Sequence, residues 1–369
     1  MIRHCFLPLA ALLGALGLSS RSHGQFVPLH PEGGYLWSHA RGVSDNGIVV
    51  GNASTRNDTD YDPWIWTAGG GQVFSGIIGA YFGISGDGST VVGMDYANRF
   101  AIRVRNGEVE RLSPSSRAWS TSGDGSIVGG TSATGTHSQA ALWDSNGNRT
   151  LLHQEGNELS SDVRSVSRDG STAMGFSRKN GNRYSIALWN RDGSRRFTQQ
   201  SDYPWGAVSH DGSIAYAVFG ASNPTLHRFV GGTSFEDLGV PFDEVYACTP
   251  DGRIVVGSAR ALEGWMQAQI YIDGEGAYEF FDWLGMHGVQ VGNYAGGFVT
   301  GVSVSDGRLM FSGISTEQSA MRFEAFVATV PEPNTLIACL AGLGIMALRR
   351  RVTKREWSRS LSSGGPSKS

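Results

Sequence analysis

The chain has 369 residues, 17% charged and 40% hydrophobic, with 52 glycines against 12 prolines. Residues 25–330 carry 21 basic and 31 acidic residues, a balance of −10 that excludes the basic patch a nucleic-acid partner requires. Of three cysteines only Cys248 falls in this body, which excludes a disulfide scaffold and a cysteine zinc cluster.

The chain opens with Arg3 and His4, then an apolar run from Cys5 to Leu18, then Ser22-His23-Gly24. A positive start, a short apolar stretch and small residues before a cut predict a secretory signal peptide over 1–24, cleaved between Gly24 and Gln25. The run falls short of the ~20 residues a membrane-spanning helix needs.

Residues 25–329 form a repeat. GVSDNGIVVG, ISGDGSTVVG, STSGDGSIVGG, VSRDGSTAMG, VSHDGSIAYA, CTPDGRIVVG and VSDGRLMFSG share one pattern, with turn glycines at 47, 88, 125, 170, 212, 252 and 307. Each is read as two apolar strands joined at Ser-x-Asp-Gly, where glycine takes a positive φ and the aspartate caps the turn. That role accounts for Asp45, Asp87, Asp124, Asp169, Asp211, Asp251 and Asp306 without a metal. A second hairpin follows, clearest in QAALWDSNGNRTLL at Trp143, SIALWNRDGSRRF at Trp189 and PWIWTAGGGQVF at Trp66.

Two hairpins per repeat predict four short antiparallel strands, too few to bury both faces alone, so neighbours must stack. The expected fold is all-β, a seven-bladed β-propeller of four-stranded blades. A parallel β-helix competes less well, because it uses shorter coils without tight hairpins. The last repeat ends at the third strand of a blade, and QFVPLHPEGG at the start matches a fourth strand. Phe26–Leu29 is therefore expected to pair with Ala325–Thr329 and seal the ring, removing exposed edges. FDWLGMHGVQVGNYAGG, ahead of Gly307, predicts an insertion with a short helix on one face.

No catalytic constellation stands out. The histidines lack H-x-x-x-H spacing, no G-x-S-x-G elbow occurs, and acids such as Asp162 and Glu244 cannot be matched into a dyad from sequence. Gly69–Gly71 sits inside a hairpin and is read as a turn. Asp58, Asp60 and Asp62 are spaced like the first ligands of a calcium loop, but Pro63 replaces its glycine and Gly69 its final glutamate. Calcium there is the one cofactor candidate; a solvated loop is the plainer reading. Trp119, Trp205 and Tyr203 could stack on sugars, against a simpler role in packing between blades. Cys248 is read as a small buried apolar residue.

At the carboxyl end, Val330-Pro331-Glu332-Pro333 precedes an uncharged run from Asn334 to Leu348 and then Arg349-Arg350-Arg351. The prolines hold the backbone extended and the arginines stay cytoplasmic, so 330–351 reads as a brief membrane hold beside a grippable peptide. Residues 352–369 read as a disordered basic tail. These residues resemble the PEP-CTERM sorting signal of exported bacterial proteins. The resemblance implies processing by a membrane protease of the exosortase type, transient membrane contact, and delivery to the cell surface or extracellular matrix. The Ser-x-Asp-Gly turns and the Ala-x-x-Trp segment Ala140–Trp143 resemble HAF-type extracellular repeats, which imply an exported propeller without established catalysis. The expected function is a noncatalytic binding or structural component of the cell envelope, with extracellular polysaccharide as a candidate partner. A secreted carbohydrate-active enzyme and a calcium-stabilised adhesion protein are the alternatives.

Overall fold

The computed structural model describes residues 24–55, 61–135, 137–156, 158–179, 183–231, 234–260, 266–319 and 322–331. The predicted signal peptide short of Gly24, Asp58 and Asp60, and the sorting segment and tail from Glu332 onward lie outside the described residues.

The described chain is all-β, in four-stranded antiparallel units, with one short helix. Strand β1 (Gln25–Pro28) comes first. Unit I holds β2 (Trp37–Val43), β3 (Val49–Ser54), β4 (Asp62–Thr67) and β5 (Gly71–Phe74). Unit II holds β6 (Gly79–Ile84), β7 (Thr90–Asp95), β8 (Phe100–Arg105) and β9 (Glu108–Pro114). Unit III holds β10 (Arg117–Thr121), β11 (Val128–Thr134), β12 (His137–Trp143) and β13 (Arg149–Leu151). Unit IV holds β14 (Glu158–Val166), β15 (Thr172–Lys179), β16 (Arg183–Asn190) and β17 (Arg195–Ser201). Unit V holds β18 (Gly206–Val208), β19 (Ile214–Phe219), β20 (Thr225–Val230) and β21 (Glu236–Pro241). Unit VI holds β22 (Glu244–Cys248), β23 (Ile254–Arg260), β24 (Met266–Ile272) and β25 (Gly276–Glu279), followed by α1 (Phe280–Met286). Unit VII holds β26 (Tyr294–Ser305), β27 (Arg308–Glu317) and β28 (Arg322–Pro331), with β1 as its fourth strand. A single parallel bridge, Ser138 to Ser160, joins units III and IV into one eight-stranded sheet.

The expected pairing of the two ends is present. Gln25, Phe26, Val27 and Pro28 lie opposite Thr329, Ala328, Val327 and Phe326, and Leu29 N–H donates to the Ala325 carbonyl at 2.7 Å. The strand β28 continues to Pro331, the first proline of the sorting motif, which pairs with Arg308.

The second strands are buried along their whole length in β3 and β7, because each unit is covered on both faces by its neighbours. The apolar clusters show how. Trp189 of unit IV packs with Ile127, Leu142 and Leu152 of unit III; Trp143 packs with Val92 and Ala101 of unit II. Burying such a side chain contributes about 2–3 kcal/mol. The cluster of Trp64, Ala40 and Val49 in unit I reaches Ala325 and Val327 of unit VII. The first strands touch in the same order, β2 with β6, then β10, β14, β18, β22 and β26, and β26 touches β2.

The turns follow the expected chemistry with two corrections. In units II to VI the Ser or Thr hydroxyl donates to the turn aspartate, as Ser122 does to Asp124 at 2.7 Å, and the N–H two residues on donates to the same carboxylate, as Ser126 does at 2.9 Å. Turn glycines such as Gly125 have φ near 70°. In unit I that capping role belongs to Asn46, which accepts from Ser44 at 2.6 Å, and not to Asp45. Asp45 is one residue early in its repeat and is free to reach elsewhere. Asp306 is not an acceptor of this kind either: it sits at φ 49° in a two-residue turn between Ser305 and Arg308.

The expected helix α1 exists, and its apolar side is buried. Phe280, Phe281, Trp283 and Leu284 are buried among residues of units VI and VII. Its N-cap, Glu279, accepts from Asp282 N–H at 2.7 Å, and burial pushes the Glu279 carboxyl up to about 7.

Candidate functional site

One strand irregularity recurs through the units. The first strand carries one extra residue relative to its partner, between Ala40 and Gly42, Tyr81 and Gly83, Ala118 and Ser120, Val163 and Ser165, Val245 and Ala247, and Val299 and Gly301. The extra residues are Arg41, Phe82, Trp119, Arg164, Tyr246 and Thr300. A bulge leaves one residue unpaired and re-aims its side chain. All six line a cavity of about 240 Å³ bounded by the first strands of all seven units.

The glycine that closes each repeat makes room for this. Gly51, Gly93, Gly130, Gly175, Gly257 and Gly313 sit opposite the bulges, and a Cβ on Gly175 would overlap the Asp162 carbonyl oxygen. Unit V has Ala217 at this place and pairs without a bulge. There Trp205, just ahead of the strand, lines the cavity instead.

Arginine and aromatic side chains meet in this collar. The Arg164 guanidinium lies 4.1 Å from the Trp119 ring centre and 4.7 Å from that of Trp205, a sandwich worth roughly 1–2 kcal/mol when desolvated. Phe82 packs on Trp119 at 4.3 Å and Trp205 on Tyr246 at 5.4 Å. Trp119 and Trp205 therefore pack between units, as their composition suggested, but around the cavity; Tyr203 does so against the core of units V and VI. Arg164 Nη2 pairs with Asp162 Oδ2 at 3.2 Å, and Thr131 donates to the other oxygen. Burial pushes the Asp162 carboxyl up to about 6 despite that arginine.

On the same collar Arg41 is buried, which lowers its pKa, and its Nη2 lies 3.4 Å from His39 Nδ1. Burial and the Arg41 charge push His39 down to about 3, so the ring is neutral and accepts this bond. Tyr246 donates to Glu244, and burial with that carboxylate raises the phenol well above its ordinary range. Of the two acids that could not be paired from sequence, Asp162 is thus held by Arg164 and Glu244 by Tyr246.

The turn end of the cavity is tied across units. Backbone N–H groups of Asp45, Asp87, Gly123, Asp169 and His210 donate to carbonyls of the next unit's turn at 2.7–2.9 Å. Arg168 of unit IV reaches over Gly86 and Gly123 to pair with Asp45 of unit I, which also accepts from Ser303 of unit VII. Any side chain at Gly86 or Gly123 would meet the Arg168 side chain. Cys248 lines the cavity near this end, and burial pushes its thiol up to about 12.

A second cavity of about 740 Å³ opens beside the collar, between units II, III and IV. Arg99, Arg117, Arg164 and Arg178 line it with His137, and Asp162 is its one carboxylate among the described residues. Arg164 belongs to both cavities.

Of the sequence candidates for metal, Asp62 accepts a hydrogen bond from Tyr35 at 3.0 Å. Among the described residues no three His, Cys, Asp or Glu side chains converge as a metal site, and no helix is long and apolar enough to cross a membrane. At the predicted signal-cleavage point, Gly24 packs on Val289 and Gln25 is the first residue of β1.

No family model matches the chain, and no curated protein does. Among solved structures it is similar to an oligogalacturonate lyase from Vibrio parahaemolyticus, at 12% identity over 83% of this chain and 94% of that one, with a TM-score of 0.47. It is also similar to TolB from Acinetobacter baumannii, at 11% identity over 79% of each chain and a TM-score of 0.41. A third is a putative TolB from Agrobacterium tumefaciens, at 16% identity over 67% of this chain and 88% of that one, with a TM-score of 0.43.

Proposed function

We propose that this chain is a seven-bladed β-propeller, closed by its own amino-terminal strand, that is exported and acts as a noncatalytic binding module of the cell surface or extracellular matrix. The seven units are its blades, and the unbroken order of first-strand contacts from β2 round to β26 supports the closed ring. A signal peptide over 1–24 and a PEP-CTERM signal from Pro331 through Glu332, Pro333 and Arg349–Arg351 account for the ends, with an exosortase-type protease as the processing partner.

The observation that carries the binding reading is the collar. Bulges in units III, IV and VI turn Trp119, Arg164 and Tyr246 toward one cavity, and Trp205 joins them there. Flat rings and a guanidinium at a cavity mouth suit a sugar, whose apolar face stacks and whose hydroxyls accept hydrogen bonds. The reaction chemistry of a carbohydrate-active enzyme is less well served, because the two acids at the collar are committed to Arg164 and Tyr246.

A polysaccharide array probed with the purified chain tests this reading. Expected is binding that falls at least tenfold in Trp119→Ala and Trp205→Ala, with the bound glycans recovered uncut. Shortened glycans would favour the enzyme, and undiminished binding in both variants would move the site away from the collar. For sorting, alanines at Glu332 and Pro333 leave the β28 residue Pro331 in place. They should leave uncleaved protein in the membrane fraction; normal processing would remove the sorting reading.

A further inference from the structure

We infer that the cavity between units II, III and IV is a subsite for an acidic polysaccharide, one whose sugars carry carboxylates. This rests on the reading of the protein as a glycan-binding module and names the class of glycan.

The body of the protein is acidic, yet this one cavity gathers four arginines and a histidine against a single carboxylate. That carboxylate, Asp162, is already engaged by Arg164 and Thr131. Among the described residues Arg99, Arg117 and Arg178 make no ion pair, though the Arg117 charge also acts on Asp162. Arg117 is exposed, and its ring contact among the described residues is with Trp119, at 5.8 Å. The Nε atoms of Arg164 and Arg178 are buried without a hydrogen-bond partner among the described residues. Buried donors of this kind are rare unless a ligand or water meets them. A guanidinium offers a planar fork that matches a carboxylate's two oxygens, and several forks along one groove match a polymer that repeats its charge.

The backbone gives a second, independent indication. Four non-glycine residues among those described have positive φ, and two of them, Arg99 at 60° and Ser115 at 50°, line this cavity. Ser115 N–H donates to the Arg99 carbonyl, so the two strained residues hold each other. A bulky residue in the left-handed region costs free energy, and such strain collects at binding sites. Arg99 closes the turn between β7 and β8, and that turn sets it in the wall of the groove. Arg164, which lines both cavities, joins this groove to the collar.

Affinity electrophoresis of the full chain, in a non-ionic detergent, through gels cast with alginate, dextran sulfate or neutral dextran tests the inference. Alginate should retard the wild type, neutral dextran should not, and dextran sulfate should retard less than alginate at equal charge. Arg117→Ala and Arg178→Ala should each weaken alginate binding about tenfold, with far-UV circular dichroism unchanged. Replacing Arg349, Arg350 and Arg351 by alanine should leave retardation intact. Loss of alginate binding in that tail variant alone, or stronger binding to dextran sulfate that ignores Arg178→Ala, would overturn the subsite. Retardation by neutral dextran alone would keep a binding module but refute its acidic preference, and retardation by none of the three would refute both.

Discussion

Unit V and the six other units solve the same strand pairing differently. In the six, a glycine of the second strand faces a bulge, and the extra residue enters the axial cavity. In unit V, Ala217 faces Gly206 in a pairing without a bulge, and Trp205 takes the axial place from just outside β18. The difference teaches that the small residue and the bulge come together. Where a Cβ is present the carbonyl cannot approach, the extra residue is lost, and the side chain for the cavity must come from elsewhere.

The largest effect expected from breaking this rule is at Gly175. Gly175→Ala puts a Cβ onto the Asp162 carbonyl oxygen and should cost roughly 3 kcal/mol, read from urea unfolding. The converse change in unit V, Ala217→Gly, should cost only about 1 kcal/mol through added freedom of the unfolded chain. Equal costs would break the comparison.

A smaller effect is expected at the side chain that the unit IV bulge delivers. Arg164→Ala leaves Asp162 buried without its guanidinium and should cost about 2 kcal/mol at pH 7.5, less at pH 5 where a proton replaces the arginine. The Asp162 carboxyl sits near 6 in the folded protein against an ordinary 3.8, so the folded state binds this proton more tightly than the unfolded state. Its contribution to stability is therefore present below about pH 4 and lost as pH rises to about 6. Asp162→Asn should remove that slope from urea midpoints taken across pH 4–7. A midpoint profile identical to wild type would show that Asp162 does not titrate there.

The smallest effect distinguishes the two candidates for the unit I turn. Asn46→Ala removes an acceptor from Ser44 and should cost about 1 kcal/mol. Asp45→Ala breaks a half-exposed pair with Arg168 and should cost about half of that. The reverse ranking would restore the capping role to Asp45.

The turns and hairpins were legible in the sequence because each depends on local chemistry repeated many times, and the pairing of β1 with β28 because the last repeat stops at a third strand and the opening segment matches a fourth. The Ser-x-Asp-Gly pattern supplies hydroxyl, carboxylate and positive φ within four residues. The site was legible only in Trp119 and Trp205, which stand out as rings able to stack on sugars, because no one residue type marks the bulge position. Arg41, Phe82, Trp119, Arg164 and Tyr246 share a position, six residues before the turn glycine, and nothing else. A search for like residues passes over them; a search for unlike residues at a fixed distance from the turn would have found them. Asp45 misled for a related reason. Its repeat has Asn46 in the cap place and an aspartate one residue earlier, so counting by residue type shifted the cap by one. Trp119 and Trp205 look in composition like the buried Trp143 and Trp189, and only strand position separates a ring at the axis from one in the core.

Gln25 and Thr329, partners in the last sheet, are 304 residues apart along the chain. Bringing such distant segments together is slow, and the entropy of closing the loop is spent before any of its contacts forms. A nascent polypeptide would hold Phe26 and its neighbours unpaired until β28 emerged. A chaperone that masks this segment, or a delay in unit VII, would then govern how quickly the protein becomes resistant to proteases.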